Sequence, residues 1–216
     1  MIQKEDSNSL YIVGGVCGML SIILYIIVIM VSFPAQISFS LAILWPLLGV
    51  IYAYALYRLV AIEQEGALNR LSFIFACLGF TIVAQMLSIQ LALGFGIEEY
   101  RSAAGADVDF WKSIHKAIRL VDLGLDVAWD VFIGASLVIG AIPISRHSRL
   151  GLFWGIPAAV LGFLIIGLNV VTFPWPPDTQ GLFDIGPFVG LYNIALGFWM
   201  LKLGMKFNKE LKLKLG

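Results

Sequence analysis

Apolar runs of membrane-crossing length alternate with short polar breaks along this chain. Six runs qualify, over about 10–33, 38–60, 68–94, 117–142, 150–173 and 185–206, because a helix needs roughly 20 apolar residues to cross a hydrocarbon core. The pattern predicts an all-α integral membrane bundle of six transmembrane helices, one domain over residues 1–216. The first run is too long for a signal-peptide core and shows no small-residue cleavage site, so it reads as an uncleaved span. Within DVDFWKSIHKAIRLVD, Phe110, Trp111, Ile114, Ile118 and Val121 recur with helical period. Asp107 or Asp109 would cap that segment. The fourth helix is therefore expected to begin near 109 and project from the bilayer, after a charged loop over about 95–116.

The polar positions that interrupt the fourth run are the most unusual in the chain. Asp122, Asp126 and Asp130 recur every four residues, and His115 and Arg119 extend the series backward. At 3.6 residues per turn these five share one face. They form a stripe about 22 Å long at 1.5 Å per residue, expected to run from the outer surface toward the bilayer centre. Each central Asp costs roughly 2.5–3.5 kcal/mol in a bilayer. Close carboxylates also repel, so a proton, a cation or Arg119 is needed beside them. Trp129 could offer its face to a cationic ligand, and His115 could pass protons at the mouth. If the aspartates only lock helices together, neighbouring polar side chains must bond them. Gln85, Ser88 and Gln90 on the third run, Asn169 on the fifth, and Tyr192 and Asn193 on the sixth are the possible partners.

Composition agrees with the pattern. The chain is 60% hydrophobic and 13% charged, with a mean hydropathy of +0.92, more apolar surface than a soluble domain of this length can hide. Fourteen basic residues balance fourteen acidic ones, which gives no sign of nucleic-acid binding. Their placement is informative. Lys4, Arg58, Arg70, Arg146, Arg149, Lys202, Lys206, Lys209, Lys212 and Lys214 fall on one side; Arg101, Lys112, Lys116 and Arg119 fall on the other. The positive-inside rule then predicts cytoplasmic termini in a bacterial-type inner membrane. The Lys-rich tail is expected to touch anionic lipid headgroups. The last outer connection, TFPWPPDTQGLFDIGP, is stiffened by four prolines.

Enzyme chemistry finds little support. Cys17 and Cys77 both lie in apolar runs and read as buried thiols. His115 and His147 are placed on opposite sides, and no HExxH or GxSxG is present. No Lys lies mid-span for a Schiff base, and no cofactor motif is found. The D-x3-D-x3-D spacing partly resembles the membrane CDP-alcohol phosphotransferases. Their motif requires Asp-Gly and Ala-Arg upstream, and ADVDFWKSIHKAIRL has neither. The segment from GASLVIGAI to GPFVGLY resembles uncharacterised six-span bacterial proteins grouped under a domain of unknown function, through its short basic loop followed by Leu-Gly and its Phe-Pro-x-Pro-Pro run. That resemblance implies architecture and no activity.

A weak repeat relates runs one and two to five and six. Val31-Ser-Phe-Pro34 matches Val171-Thr-Phe-Pro174, and Pro46, Gly49 and Tyr52 match Pro187, Gly190 and Tyr192. A parallel transporter repeat and ordinary hairpin convergence both account for it. Gly14-x3-Gly18, Gly151-x3-Gly155 and Gly186-x3-Gly190 permit close helix approach. Pro46 and Pro157 fall inside spans. The expected function is a small proton- or cation-coupled transporter or permeation protein built on the aspartate stripe. An outer-leaflet ligand- or lipid-binding sensor and a carboxylate-dependent membrane enzyme are the alternatives. Membrane lipids, and a proton, cation or small ligand, are the expected partners; oligomeric state is open.

Overall fold

The computed structural model describes residues 2–101 and 108–215. Six helices make up the fold: α1 Ile2–Met30, α2 Ala35–Ala61, α3 Ala67–Arg101, α4 Val108–Arg146, α5 Gly151–Thr172 and α6 Gly186–Leu215. Each contains a stretch long and apolar enough to cross a membrane, which is the architecture of a multi-pass membrane protein. Large apolar side chains cover the outside: Phe153 is 77% and Phe163 66% exposed. Lipid can accept such a surface, whereas water would drive it to associate.

α1 packs between α2 and α6, α3 between α2 and α4, and α4 between α3 and α5, while α5 only touches α6. Glycines set the closest approaches. A side chain at Gly14 would meet Ala55, and one at Gly18 would meet the Tyr52 ring at 2.6 Å. At Gly15 a Cβ would lie 2.5 Å from the Gly197 carbonyl oxygen and 2.7 Å from the Leu201 nitrogen. Those are backbone atoms of α6 and cannot swing aside. Gly15→Ala is therefore expected to destabilise the bundle by about 1–3 kcal/mol, the usual range for overpacking. Gly94→Ala, with nothing within 4 Å, is the control and should gain up to about 1 kcal/mol of helix propensity. Unfolding in detergent compares the two. Gly151 has a different role from the one its spacing suggests: as the first residue of α5 it takes φ +61°, a conformation that suits glycine.

The paired halves of the sequence repeat pack differently. α1 and α2 are joined by residues 31–34 alone and stay in contact, whereas residues 173–185 separate α5 from α6. The matched tyrosines also diverge. Tyr52 donates to Asn193 Oδ1 at 3.3 Å, and Tyr192 donates to the Trp154 carbonyl at 3.1 Å.

The expected loop over about 95–116 is mostly helix. α3 runs on to Arg101 and α4 starts at Val108, giving them 35 and 39 residues against 22 in α5. At 1.5 Å per residue they reach about 52 and 58 Å, so both project past the bundle as a hairpin. Apolar positions continue the helical period through the charged stretch, and Trp111, Ile114 and Ile118 are half-buried there. The cap at Asp107 and the side chains of Lys4, Arg101, Lys209, Lys212 and Lys214 lie outside what the structure describes.

At the opposite end the α2–α3 and α4–α5 turns are latched. Glu63 accepts from the Ser148 backbone N–H at 2.6 Å and from its hydroxyl. Buried His147 accepts from the Arg149 N–H through Nδ1 at 3.2 Å, and its Nε2 lies 3.9 Å from Glu63. The Ser148 hydroxyl and N–H hold the Glu63 carboxyl below its ordinary range. Burial holds the His147 imidazole below its own. Both shifts have the same sign for stability. The unfolded His147 takes up a proton below about pH 6.5 that the folded one refuses. Glu63 contributes above about pH 4.3, and that contribution is lost as pH falls through its lowered folded value. Thermal stability is therefore expected to drop on acidification. His147→Gln should flatten the upper part of the melting-temperature profile, where it begins to fall below about pH 6.5, while leaving the lower step, and an unchanged profile would contradict the latch.

Candidate functional site

Four-residue spacing on a straight helix places Asp122, Asp126 and Asp130 on one face of α4, within the candidate span Asp109–Arg146. All three are half-buried. Two have neutral amide partners. Gln90 Nε2 donates to Asp122 Oδ2 at 3.0 Å, and Asn169 Nδ2 donates to Asp130 Oδ2 at 2.8 Å. Asp126, between them, makes no hydrogen bond or ion pair among the described residues. An amide donates a hydrogen bond but brings no positive charge. Among the described residues, the stripe therefore has no basic partner within 4 Å on the neighbouring helices.

The other sequence candidates occupy different places. Arg119 is exposed; it lies within electrostatic reach of Asp122, but the pair is not within 4 Å among the described residues. His115 is exposed on the projecting part of α4. Gln85 is exposed, and the Ser88 hydroxyl returns to the Ala84 carbonyl of its own helix at 2.8 Å. Tyr192 and Asn193 are engaged with Trp154 and Tyr52, so neither reaches an aspartate. The six possible partners reduce to Gln90 and Asn169, because only those two meet α4 at the level of its carboxylates.

Asn169 stands three residues before the end of α5 at Thr172. Its hydrogen bond therefore places Asp130 roughly 5 Å inside that end, at 1.5 Å per residue.

Three features were not read from the sequence. The carboxylate of Asp184, in the connection before α6, lies within electrostatic reach of Asp126, Asp130 and Tyr25. Asp178 reaches Asp126 in the same way. The signal was available: the proline-rich connection joins helices at the same end as the α3–α4 hairpin, and it carries two acids. Thirdly, an aromatic cluster adjoins the stripe. Tyr25, Trp45 and Trp129 are mutual neighbours, with ring centroids 4.9 Å (Tyr25–Trp45), 6.0 Å (Tyr25–Trp129) and 6.2 Å (Trp45–Trp129) apart. Trp129 is therefore in place beside Asp130, but its ring packs against two others.

Buried polar atoms without partners gather here. They include Asp122 Oδ1, Asn169 Oδ1, and the indole Nε1 of Trp45 and Trp129. Such atoms normally find a partner, and leaving one unpaired costs about 1–3 kcal/mol. Among the described residues, no three His, Cys, Asp or Glu side chains are arranged to hold a metal ion.

Toward the latched end lies a cavity of about 70 Å³ between α2, α3, α4 and α6, with Tyr52, Asn69, Ser72, Ser136 and Asn193 in its wall. A water needs about 10–15 Å³ of such space, so several fit. Phe80 lines this cavity and packs edge-on against Trp45 at 6.3 Å. The ring series Phe80–Trp45–Trp129 thus connects the cavity wall to the residue beside Asp130.

Compared with protein-family models, curated proteins and solved structures, the chain gives no match. The functional reading rests on the site's own chemistry.

Proposed function

We propose that this protein is a small proton- or cation-coupled transporter or permeation protein, with the α4 stripe as its entry path. The observation that carries the reading is Asp126, unpaired among the described residues and lying between two aspartates hydrogen-bonded by amides. Three carboxylates in an apolar helix need positive charge or protons nearby. Arg119 lies within electrostatic reach of Asp122 alone, and among the described residues no basic side chain pairs with Asp126 or Asp130, so in this reading the balance comes from solution. Arg119 and the exposed His115 stand at the open end of the stripe, where they meet an arriving ion first. The cavity beyond the aromatic cluster, roomy enough for several waters, offers a second polar station.

The distribution of Lys and Arg gives the path its direction. The latched end carries Arg58, Arg70, Arg146 and Arg149, against Lys112, Lys116 and Arg119 on the projecting hairpin. In this reading the latched end and both termini face the cytoplasm, and the stripe opens outward from a bacterial-type cell membrane. Lipid is the surrounding partner. The test is ion uptake by purified protein in liposomes under an imposed potential, with a trapped pH dye reporting protons. Protein-containing vesicles are expected to take up protons or cations faster than empty ones, and equal rates would remove the transport reading.

A further inference from the structure

We propose that the site at Asp126 and Asp130 takes a primary ammonium ion, with its hydrocarbon part against the aromatic cluster. This rests on the reading of the stripe as a cation path and names the class of cation. Asn169 is 2% exposed and spends its Nδ2 on Asp130 and on the Ile165 carbonyl. Its Oδ1, on the same amide, has no donor among the described residues. An acceptor left open beside a carboxylate calls for a ligand that brings both positive charge and N–H groups. A primary ammonium brings both, with three donors in tetrahedral directions.

The surroundings narrow the choice further. A bare metal ion needs several ligating groups converging on one point, and no such group of three occurs among the described residues. A quaternary ammonium has no N–H to give Asn169 Oδ1. The apolar cluster of Tyr25, Trp45, Trp129 and Leu125 adjoins the aspartates and suits an alkyl group. Asp184, whose Oδ1 accepts from the Gly186 N–H at 2.8 Å, lies within electrostatic reach of Asp126 and Asp130 and adds negative potential there.

The test is a titration of the purified protein in detergent with ethylammonium chloride, followed by tryptophan emission. Sodium chloride and tetramethylammonium chloride at the same ionic strength are the comparisons. A saturable change with ethylammonium is expected, at least about tenfold weaker with tetramethylammonium and absent with sodium. Asp130→Asn should lose it. The unfolding temperature of the unaltered protein gives a readout independent of any variant, and should rise with ethylammonium alone. Equal responses to all three salts, or none, overturn the proposal. If protons still cross liposomes while ethylammonium leaves emission and melting unchanged, the ligand class is wrong and the transport reading survives. If ethylammonium binds and no flux occurs, the site stands as an amine receptor and the transport reading fails.

Discussion

Asn169→Leu is expected to lower the unfolding free energy by about 1–3 kcal/mol, and adding Asp130→Leu is expected to restore most of it. The first change removes the amide that donates to Asp130 at 2.8 Å and leaves its half-buried carboxylate without that donor. An orphaned charged acceptor is worse than no acceptor. The second change removes the carboxylate too and fills the space with a side chain of similar size, which is often neutral or stabilising. Unfolding of the two single variants and the double variant gives the coupling directly. Additive losses would show that Asn169 and Asp130 do not depend on each other. If the pair served packing alone, the stable double variant would keep all activity. In the present account it folds well and loses ion flux.

Asp126→Asn is expected to reduce ion uptake on the order of tenfold to a hundredfold, because a hydrogen bond to a charged group contributes about 1.5–3 kcal/mol. Asparagine keeps the shape and removes the charge and the titratable proton. Asp126 has no partner to lose among the described residues, so the variant's folding stability should change little. Asp122→Asn should have a smaller effect. Asp122 lies toward the open end, within reach of Arg119, and Gln90 already holds one of its oxygens. The order expected in liposome uptake is wild type, Asp122→Asn, then Asp126→Asn. A reversed order would move the critical carboxylate to the mouth.

The six helices were legible because apolar runs of spanning length are a strong signal, and the glycine contacts of Gly14 and Gly18 followed from their spacing. The stripe was legible for the same reason: Asp every four residues in an apolar run has one geometric meaning. Its partners were not. Gln85, Gln90, Asn169, Tyr192 and Asn193 look alike as polar residues in apolar helices, and only helix levels separate Asn169 from Asn193. Those levels depend on where α4 enters the packed region, which a helix with a long projecting amphipathic start does not reveal. Tyr25 and Trp45 read as ordinary aromatic residues in spans, and they become part of the site only when α1 and α2 are placed beside α4. Asp184 was visible in the sequence but lay in a connection whose prolines suggested stiffness rather than a contribution to the site. The extent of the 95–116 segment was misjudged because charge was weighed above its continuing helical period.

The most direct test of the central claim compares uptake by wild type and Asp126→Asn in liposomes, at equal protein content and matched melting temperature. The account predicts uptake above empty vesicles for wild type and close to empty vesicles for Asp126→Asn. Equal uptake by the two proteins would contradict it.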